Sequence, residues 1–343
     1  MFSKCRLQTV SLSFAALLAV PIGGASAETL VVAGYASSFE KVMREQVIPD
    51  FEREQKVTVQ YVGSNSTDTL AKLLAQRASQ QFDVAMMDDG PMNQAIALGL
   101  CAPVEGLETS QVQPLAVFPE GKGVGMGMVA TGLMYNKKAF AEEGWQAPTS
   151  WTDLRDPKFR GKVVMPPLNN GYGLLATVML ARIGGGGERN IDPGFVAMKD
   201  VARNVYVFEP SPAKMTELFQ TGQAVLSVWG SARFQAFADT GFPVDFVYPR
   251  EGAPILMTAV CPVAKKPASA KAQAFIATLL SAKVQKIMAE SGGYAPVRKG
   301  VEVSGTGVMP VGERLAKVIA VDWSVINPVR NDWTKRWSRE IER

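Results

Sequence analysis

The sequence contains no histidine, and this absence excludes several classes of enzyme and metal site. Ser-His-Asp and Cys-His nucleophiles both need an imidazole as general base. Zinc sites with histidine ligands and acid–base catalysis by histidine are excluded for the same reason. The seven tyrosines include no adjacent pair, so a tyrosine-pair iron site is not indicated. We predict no metal site, no cofactor and no enzymatic activity.

Cysteine is scarce, with only Cys5, Cys101 and Cys261 in the chain. Cys5 lies before the first apolar stretch, which is not the position of a lipoprotein cysteine. In an oxidising compartment, the other two can form a disulfide. Free cysteines also occur as small buried hydrophobic residues. Both alternatives stay open for the Cys101–Cys261 pair.

The N-terminus carries an apolar stretch over residues 10–22 that follows Lys4 and Arg6 and leads to Ala25-Ser26-Ala27. A short basic region, an apolar run and small residues before a cleavage site are typical of a secretory signal peptide. The run is too short to span a membrane, and no later stretch approaches the ~20 apolar residues required. We predict a signal peptide over residues 1–27 and a periplasmic protein that begins at Glu28.

Charge of one sign is not in large excess, because 36 Lys and Arg residues face 32 Asp and Glu residues. No basic run with interleaved aromatic residues is present, so a nucleic-acid partner is not expected. A hydrophobic content of 47% suits a globular protein with a large core. The length of the remaining chain favours two domains.

Strand and helix patterns alternate along the chain, which predicts an α/β fold with parallel strands covered by helices on both faces. The predicted strands cover residues 29–34, 56–63, 82–87, 161–167, 204–209, 224–230 and 255–266. The predicted helices cover residues 38–54, 66–79, 92–99, 171–183, 211–222 and 269–291. A glycine-rich, strand-like segment over residues 123–140 would cross between two α/β units. The tail over residues 322–343 is predicted to be helical and to pack on the surface.

Polar and aromatic residues follow the predicted strands, where open α/β sheets bind their ligands. The candidate ligand-binding residues of the first unit are Tyr35, Ser37, Ser38, Ser64, Asn65, Ser66, Asp88 and Asp89. Those of the second unit are Asn170, Tyr172, Trp229, Ser231 and Arg233. Several precede helices, whose free N–H groups can hold an anion. The aromatic residues could stack on a ligand or cover a cation.

Each of these features also has a structural explanation. The serines of these loops, with Thr67, are suited to be helix caps, and Ser66 or Thr67 would cap the helix that begins there. Asp88 and Asp89 could simply stabilise the start of the following helix, or lie partly solvated at the mouth of a cleft facing a solute. Trp229 could belong to the core. The shared position at strand ends is what favours a binding site.

Long stretches of the chain resemble a known family. Residues 29–52, TLVVAGYASSFEKVMREQVIPDFE, look like the start of periplasmic solute-binding proteins of the spermidine/putrescine type. Residues 83–104 are similar to the strand–turn–helix of that family, and residues 322–342 are similar to its C-terminal segment. The resemblance covers almost the whole predicted mature chain.

The resemblance implies a two-lobed periplasmic binding protein fold of type II, with a cleft that closes on a solute. It implies one lobe over residues 28–130 and 246–343, which includes the C-terminal helical tail, and a second lobe over residues 131–245. It also implies transient docking on the transmembrane subunits of an ABC importer. We expect a monomer.

One segment departs from the polyamine binders of this family. They place a tryptophan and an aspartate after the stretch that matches residues 251–253, whereas this chain has Pro254-Ile255-Leu256-Met257-Thr258 there. Met257 is our candidate from this segment. Two ligand classes therefore stay open. An amino compound would pair with Asp88 or Asp89, and an anionic carboxylate, phosphonate or organophosphate would bind the polar loops with Arg233. An exported enzyme or a sensor on the same fold are further alternatives.

Overall fold

The computed structural model describes Met1 and residues 28–36, 38–305 and 307–342. Ser37 and, apart from Met1, the predicted signal peptide lie outside the described residues. Within these ranges, no helix is both long and apolar enough to cross a membrane.

Three parallel strands with their helices form the first half of the sheet. The elements in chain order are β1 (Glu28–Tyr35), α1 (Ser38–Val42), α2 (Ile48–Gln55), β2 (Val57–Ser64), α3 (Ser66–Ala75), β3 (Val84–Asp88) and α4 (Asp89–Ala97). A π-helical turn joins α1 to α2 just before Pro49. The helix predicted over residues 38–54 is therefore interrupted by a wider turn, because proline has no N–H for the regular α-helical ladder.

The second half of the sheet is built from a similar alternation. Its elements are β4 (Val124–Asn136), α5 (Lys137–Glu142), β5 (Val163–Met165), α6 (Gly171–Ile183), α7 (Asp192–Ala202), β6 (Val205–Phe208), α8 (Pro212–Gln220), β7 (Leu226–Gly230), α9 (Ser231–Ala238) and β8 (Val244–Val247). The chain then returns through β9 (Ala253–Pro262), α10 (Ala270–Leu279), α11 (Ala282–Gly292), β10 (Val318–Ile319) and α12 (Trp323–Glu340).

The strands pair in the order β2-β1-β3-β9-β4-β7-β5-β6, with β8 beside β4 and β10 beside β9. The strands of each half are parallel, as predicted, but β4 and β9 run antiparallel to their main neighbours. β4 pairs with β9 over residues 124–130 and with β7 over residues 131–135. The predicted crossover segment is therefore the strand that joins the two halves.

Each half has its own apolar core. Phe51, Met86 and Phe275 are buried in the first core, and Trp151 and Phe195 are buried in the second. Burying one such side chain stabilises the fold by about 1.5–3 kcal/mol. Along β4, the buried residues change from the first core at Met128 to the second core at Leu133. The lobe boundaries themselves stay a prediction.

The C-terminal helix differs from the expected surface helix. Trp323, Ile326, Trp333 and Trp337 of α12 are buried in the second core, and Trp337 packs edge-on against Phe208 with ring centroids 5.1 Å apart. The spacing of these four residues places them along one side of a helix, which is the pattern of a buried face.

The predicted helix over residues 269–291 is two helices, α10 and α11. Ser281 separates them because its hydroxyl accepts a hydrogen bond from the Val284 N–H at 3.2 Å, which caps a new helix.

Of the two alternatives for the cysteines, the structure has the disulfide, because Cys101 and Cys261 are bonded with their Cα atoms 5.7 Å apart. The bond ties the segment after α4 to β9.

Candidate functional site

A cavity of about 620 Å³ lies at the carboxyl ends of the parallel strands and receives residues from both halves of the sheet. We call it the main cavity. The candidates from the sequence that line it are Tyr35, Ser64, Asn65, Ser66, Asp88, Asn170, Tyr172, Trp229 and Arg233. As expected, the loops that follow the strands bring residues that are far apart in the chain to one cavity.

The remaining candidates do not line the main cavity. Ser37 lies outside the described residues, and Ser38 is exposed at the start of α1. Ser231 is buried, and its hydroxyl accepts a hydrogen bond from the Ala130 N–H at 3.1 Å. Met257 faces away because its neighbours Leu256 and Thr258 line the cavity, and successive residues of a strand point to opposite sides.

Several lining residues were not among the candidates. They are Asp68, Lys72, Val129, Met215, Leu256, Thr258 and Tyr294, together with small residues of the loops. Leu256 and Thr258 could have been found, since alternation along β9 makes either them or Met257 face the cavity. Tyr294 follows α11, far along the chain from the other lining residues, and no local pattern marks it.

Asp88 ends β3 and lines the main cavity, partly exposed. The Ser66 hydroxyl accepts a hydrogen bond from the Asp88 N–H at 3.0 Å, which leaves its proton free for the carboxylate. Burial raises the pKa of Asp88, while the hydroxyls of Ser66 and Tyr35 and the charges of Arg330 and Arg233 oppose that rise. The carboxylate is therefore already partly compensated by the protein.

Arg233 provides a cation in the main cavity. It lies in the first turn of α9 and is partly exposed. Across the described ranges, its side chain makes no ion pair and no hydrogen bond to another side chain or to the backbone. The N-cap of α9 is Gly230, which has no side chain to occupy the first N–H groups. A guanidinium beside an uncapped helix N-terminus is well suited to bind an anion.

Two asparagines shape the rim of the main cavity by capping helices. Asn65 Oδ1 accepts from the Asp68 N–H at 2.8 Å at the start of α3, so Asn65 takes the capping role expected for Ser66 or Thr67. Asn170 Oδ1 accepts from the Tyr172 N–H at 3.0 Å at the start of α6. The amide nitrogen of Asn65 also donates a hydrogen bond to the Asp68 carboxylate at 2.8 Å.

Tyr172 packs closely against the backbone of Gly230. A Cβ atom at position 230 would lie 2.3 Å from the Tyr172 hydroxyl, so only glycine permits this arrangement. Burial raises the pKa of Tyr172, which keeps the hydroxyl protonated at neutral pH. The junction of β7 and α9 thus fixes an aromatic ring and leaves the helix terminus open.

Asp89 occupies a different environment from Asp88. It is 6% exposed and lines a second cavity of about 300 Å³, which Phe118, Met257 and Trp323 help to form. Burial raises the pKa of Asp89 to about 7, and the charge of Asp88 acts in the same direction. The Trp323 side chain and nearby backbone amides have the opposite effect on this pKa. The expected position at the mouth of the main cavity, partly solvated, is therefore not the one observed for Asp89.

Metal binding finds no support in the part of the chain that the structure describes, where no group of three or more acidic or cysteine side chains could hold an ion.

A sequence model of the family described as "Bacterial extracellular solute-binding protein" matches residues 46–308 of this chain. A comparison with curated proteins finds no match.

Solved structures give a consistent picture of the fold. The periplasmic binding protein AfuA from Actinobacillus pleuropneumoniae, with fructose-6-phosphate bound, is 20% identical with a TM-score of 0.79, over 92% of this chain and 99% of that one. MotA from A. tumefaciens B6, in complex with glucopine, is 18% identical with a TM-score of 0.75, over 91% and 99%. Trichodesmium IdiA (FutA), with iron and citrate, is 20% identical with a TM-score of 0.70, over 91% and 98%. The predicted two-lobed α/β fold is confirmed by these likenesses.

Proposed function

Because this chain belongs to the bacterial extracellular solute-binding proteins, we propose that it captures a small organic anion in the main cavity and delivers it to an ABC importer. Membership of the family confirms the prediction of a binding protein rather than an enzyme, and it implies a periplasmic or extracellular location. The anionic class of the solute is the part that the geometry of the site supports.

The observation that carries the proposal is the unpaired guanidinium of Arg233 at the open N-terminus of α9. A carboxylate or phosphoryl group placed there would accept charge-assisted hydrogen bonds, each of which contributes about 1.5–3 kcal/mol. Asp88 presents the opposing charge, but two hydroxyls and two arginines already compensate it in part. Two acids, Asp68 and Asp88, and two bases, Lys72 and Arg233, line the main cavity. The position of Arg233 at the open helix N-terminus, and not the net charge of the lining, favours a negative solute.

The ligands of two similar structures agree with this class. AfuA holds fructose-6-phosphate and IdiA holds citrate with iron, and both organic molecules are anions. The low identities carry no ligand assignment to this chain, so the support lies in the shared cleft architecture together with Arg233.

The proposed mechanism is closure of two lobes about β4 and β9. Residues 28–130 and the returning chain from residue 246 up to α12 would move as one lobe against residues 131–245, and α12, which is buried in the second core, would move with the latter. The solute would favour the closed state by contacting both lobes. The closed monomer would then dock on the permease. Small-angle scattering checks this step, because the radius of gyration should fall when a binding anion is added, and an unchanged radius would count against closure.

The test of the proposed solute class is isothermal titration calorimetry with citrate, fructose 6-phosphate and putrescine, on wild type and Arg233→Gln. We expect an anion to bind wild type and to bind the variant roughly 100-fold more weakly, about 2.7 kcal/mol. Lys138→Gln is the matched control, since Lys138 is an exposed cation of the same half outside the cavity. Retained anion affinity in Arg233→Gln would refute the assignment.

A second candidate solute is an amino compound of the polyamine type. Asp88 favours it, because its carboxylate lines the cavity with Tyr35, Tyr172 and Trp229, whose rings could cover an ammonium group. In the same titrations, binding of putrescine to wild type and loss of that binding in Asp88→Asn would select this candidate over the anion.

A further inference from the structure

The C-terminal helix α12 contacts two of the turns next to the main cavity, one from each half of the sheet. Asn327 Nδ2 donates to the Gly90 carbonyl at 3.0 Å, and Arg330 Nη2 donates to the Asn169 carbonyl at 2.9 Å. The two donors are three residues apart and therefore lie on one face of the helix. Gly90 belongs to the turn that begins with Asp88, and Asn169 precedes the cap of α6.

The helix is firmly held in this position. Trp333 and Trp337 are buried in the second core. At the other end of α12, the Trp323 ring packs on Gly90 so closely that a Cβ atom there would lie 2.7 Å from the ring. The buried residues of α12 therefore attach it to the second half, and its contacts with Gly90 cross to the first half.

Arg330 brings a positive charge to the back of Asp88. Burial lowers the pKa of the Arg330 guanidinium, and the charges of Asp88 and Asp89 act against that effect. Among the described residues, no carboxylate lies within 4.0 Å of Arg330. The Arg330 guanidinium therefore acts on Asp88 through its charge and not through a direct ion pair. Its hydrogen bond to the Asn169 carbonyl holds the guanidinium in place.

We propose that Arg330 is a specificity-determining residue of the main cavity, which acts from behind by offsetting the charge of Asp88 and holding the Asn169 turn. Arg233 and Arg330 then both act on this carboxylate with a positive charge. Their charges weaken the attraction of Asp88 for an ammonium group and its repulsion of an anion. This inference rests on the proposed solute class and extends it, because it assigns a role to the C-terminal helix.

The first experiment does not depend on a ligand. Carbon-13 NMR titration of the aspartate carboxyl signals, with Asp88 assigned through Asp88→Asn, measures its pKa in wild type, Arg330→Gln and Arg330→Lys. We expect a higher pKa of Asp88 in Arg330→Gln, because a positive charge is lost. Arg330→Lys keeps the charge and should stay near wild type. Lys335→Gln, an exposed cation of the same helix, should change nothing.

An unchanged Asp88 pKa in Arg330→Gln would overturn the inference. A rise in Arg330→Lys as large as that in Arg330→Gln would also overturn it, because the hydrogen bonds rather than the charge would then control Asp88.

The second experiment measures selectivity with the citrate, fructose 6-phosphate and putrescine titrations. Relative to wild type, Arg330→Gln should bind the preferred anion about tenfold more weakly. The ratio of its affinity for the anion to its affinity for putrescine should therefore be smaller than in wild type. Equal anion affinities would contradict the role of Arg330. If wild type binds neither anion, the proposed solute class fails, while the NMR titration still decides whether Arg330 controls Asp88.

Discussion

Asp88 and Asp89 are neighbours in the chain, yet they serve two different regions of the molecule. Asp88 lines the main cavity, with hydroxyls beside it and arginines nearby. Asp89 lines the second cavity, against Met257 and Trp323. The difference arises because Asp88 ends a strand and Asp89 begins a helix. A pair of identical side chains is thereby divided between a polar cavity and a mostly apolar one.

The comparison teaches that surroundings determine the role of a carboxylate. Burial raises the pKa of Asp88 as well, but hydroxyls and arginines oppose that rise, and the side chain lines the main cavity, where it can influence a solute. Around Asp89, burial dominates, and the neutral form is favoured up to neutral pH. We therefore expect Asp88 to affect binding and Asp89 to affect stability.

The largest effect should come from Asp89→Asn. The folded-state pKa of about 7 is above the usual value of 3.8, so the protonated form stabilises the fold. This contribution is complete below pH about 4 and is lost as the pH rises through 7, with a total on the order of 4 kcal/mol. Asparagine cannot ionise and avoids the loss. Thermal unfolding from pH 5 to pH 8 should show Asp89→Asn gaining stability over wild type as the pH rises.

The control for this variant is Asp332→Asn, which changes an exposed aspartate of α12. Its melting temperature should follow that of wild type across the same range. Parallel pH curves for Asp89→Asn and wild type would show that Asp89 is ionised in the folded state at no cost, and the division between the two acids would fail.

Next in size is a matched pair of glycine substitutions, one for each region. In Gly230→Ala the new Cβ would meet Tyr172, and in Gly90→Ala it would meet the Trp323 ring. We expect Gly230→Ala to weaken binding of the preferred panel anion by about tenfold, because it moves a lining ring. Gly90→Ala should lower the melting temperature and change that affinity much less. Calorimetry and thermal unfolding of both variants give the two readouts.

If Gly90→Ala weakened anion binding as much as Gly230→Ala, the separation of a binding cavity from a structural cavity would be wrong. In that case the two cavities would be energetically coupled, and the second could not be regarded as structural.

The smallest effect is expected for Asp88→Asn. Removing a compensated charge should strengthen anion binding by roughly threefold, since little repulsion remains to be relieved. Asp89→Asn should leave the same affinity within about twofold. Titration calorimetry at low and moderate ionic strength measures both. A large loss of anion affinity in Asp88→Asn would indicate that this carboxylate hydrogen-bonds the solute directly.

The sequence allowed most strands, most helices and the general position of the main cavity to be predicted, because polar loops after parallel strands converge. The short strands β8 and β10 were not predicted. It could not separate Asp88 from Asp89, since the turn between a strand and a helix decides which way each side chain points. Arg330 escaped prediction because its role depends on a helix that packs across both halves. The spacing of the tryptophans in α12 indicates a buried face, which the expectation of a surface helix does not take into account.

The central claim is that the solute binds in the main cavity, on the side of Asp88, with its anionic group at Arg233. The most direct measurement is a crystal structure of the protein with whichever of citrate and fructose 6-phosphate binds more tightly by calorimetry. The account predicts density for the anion between the Arg233 guanidinium and the first N–H groups of α9. Density in the second cavity beside Trp323, or in the main cavity with the anion turned away from Arg233, would contradict it.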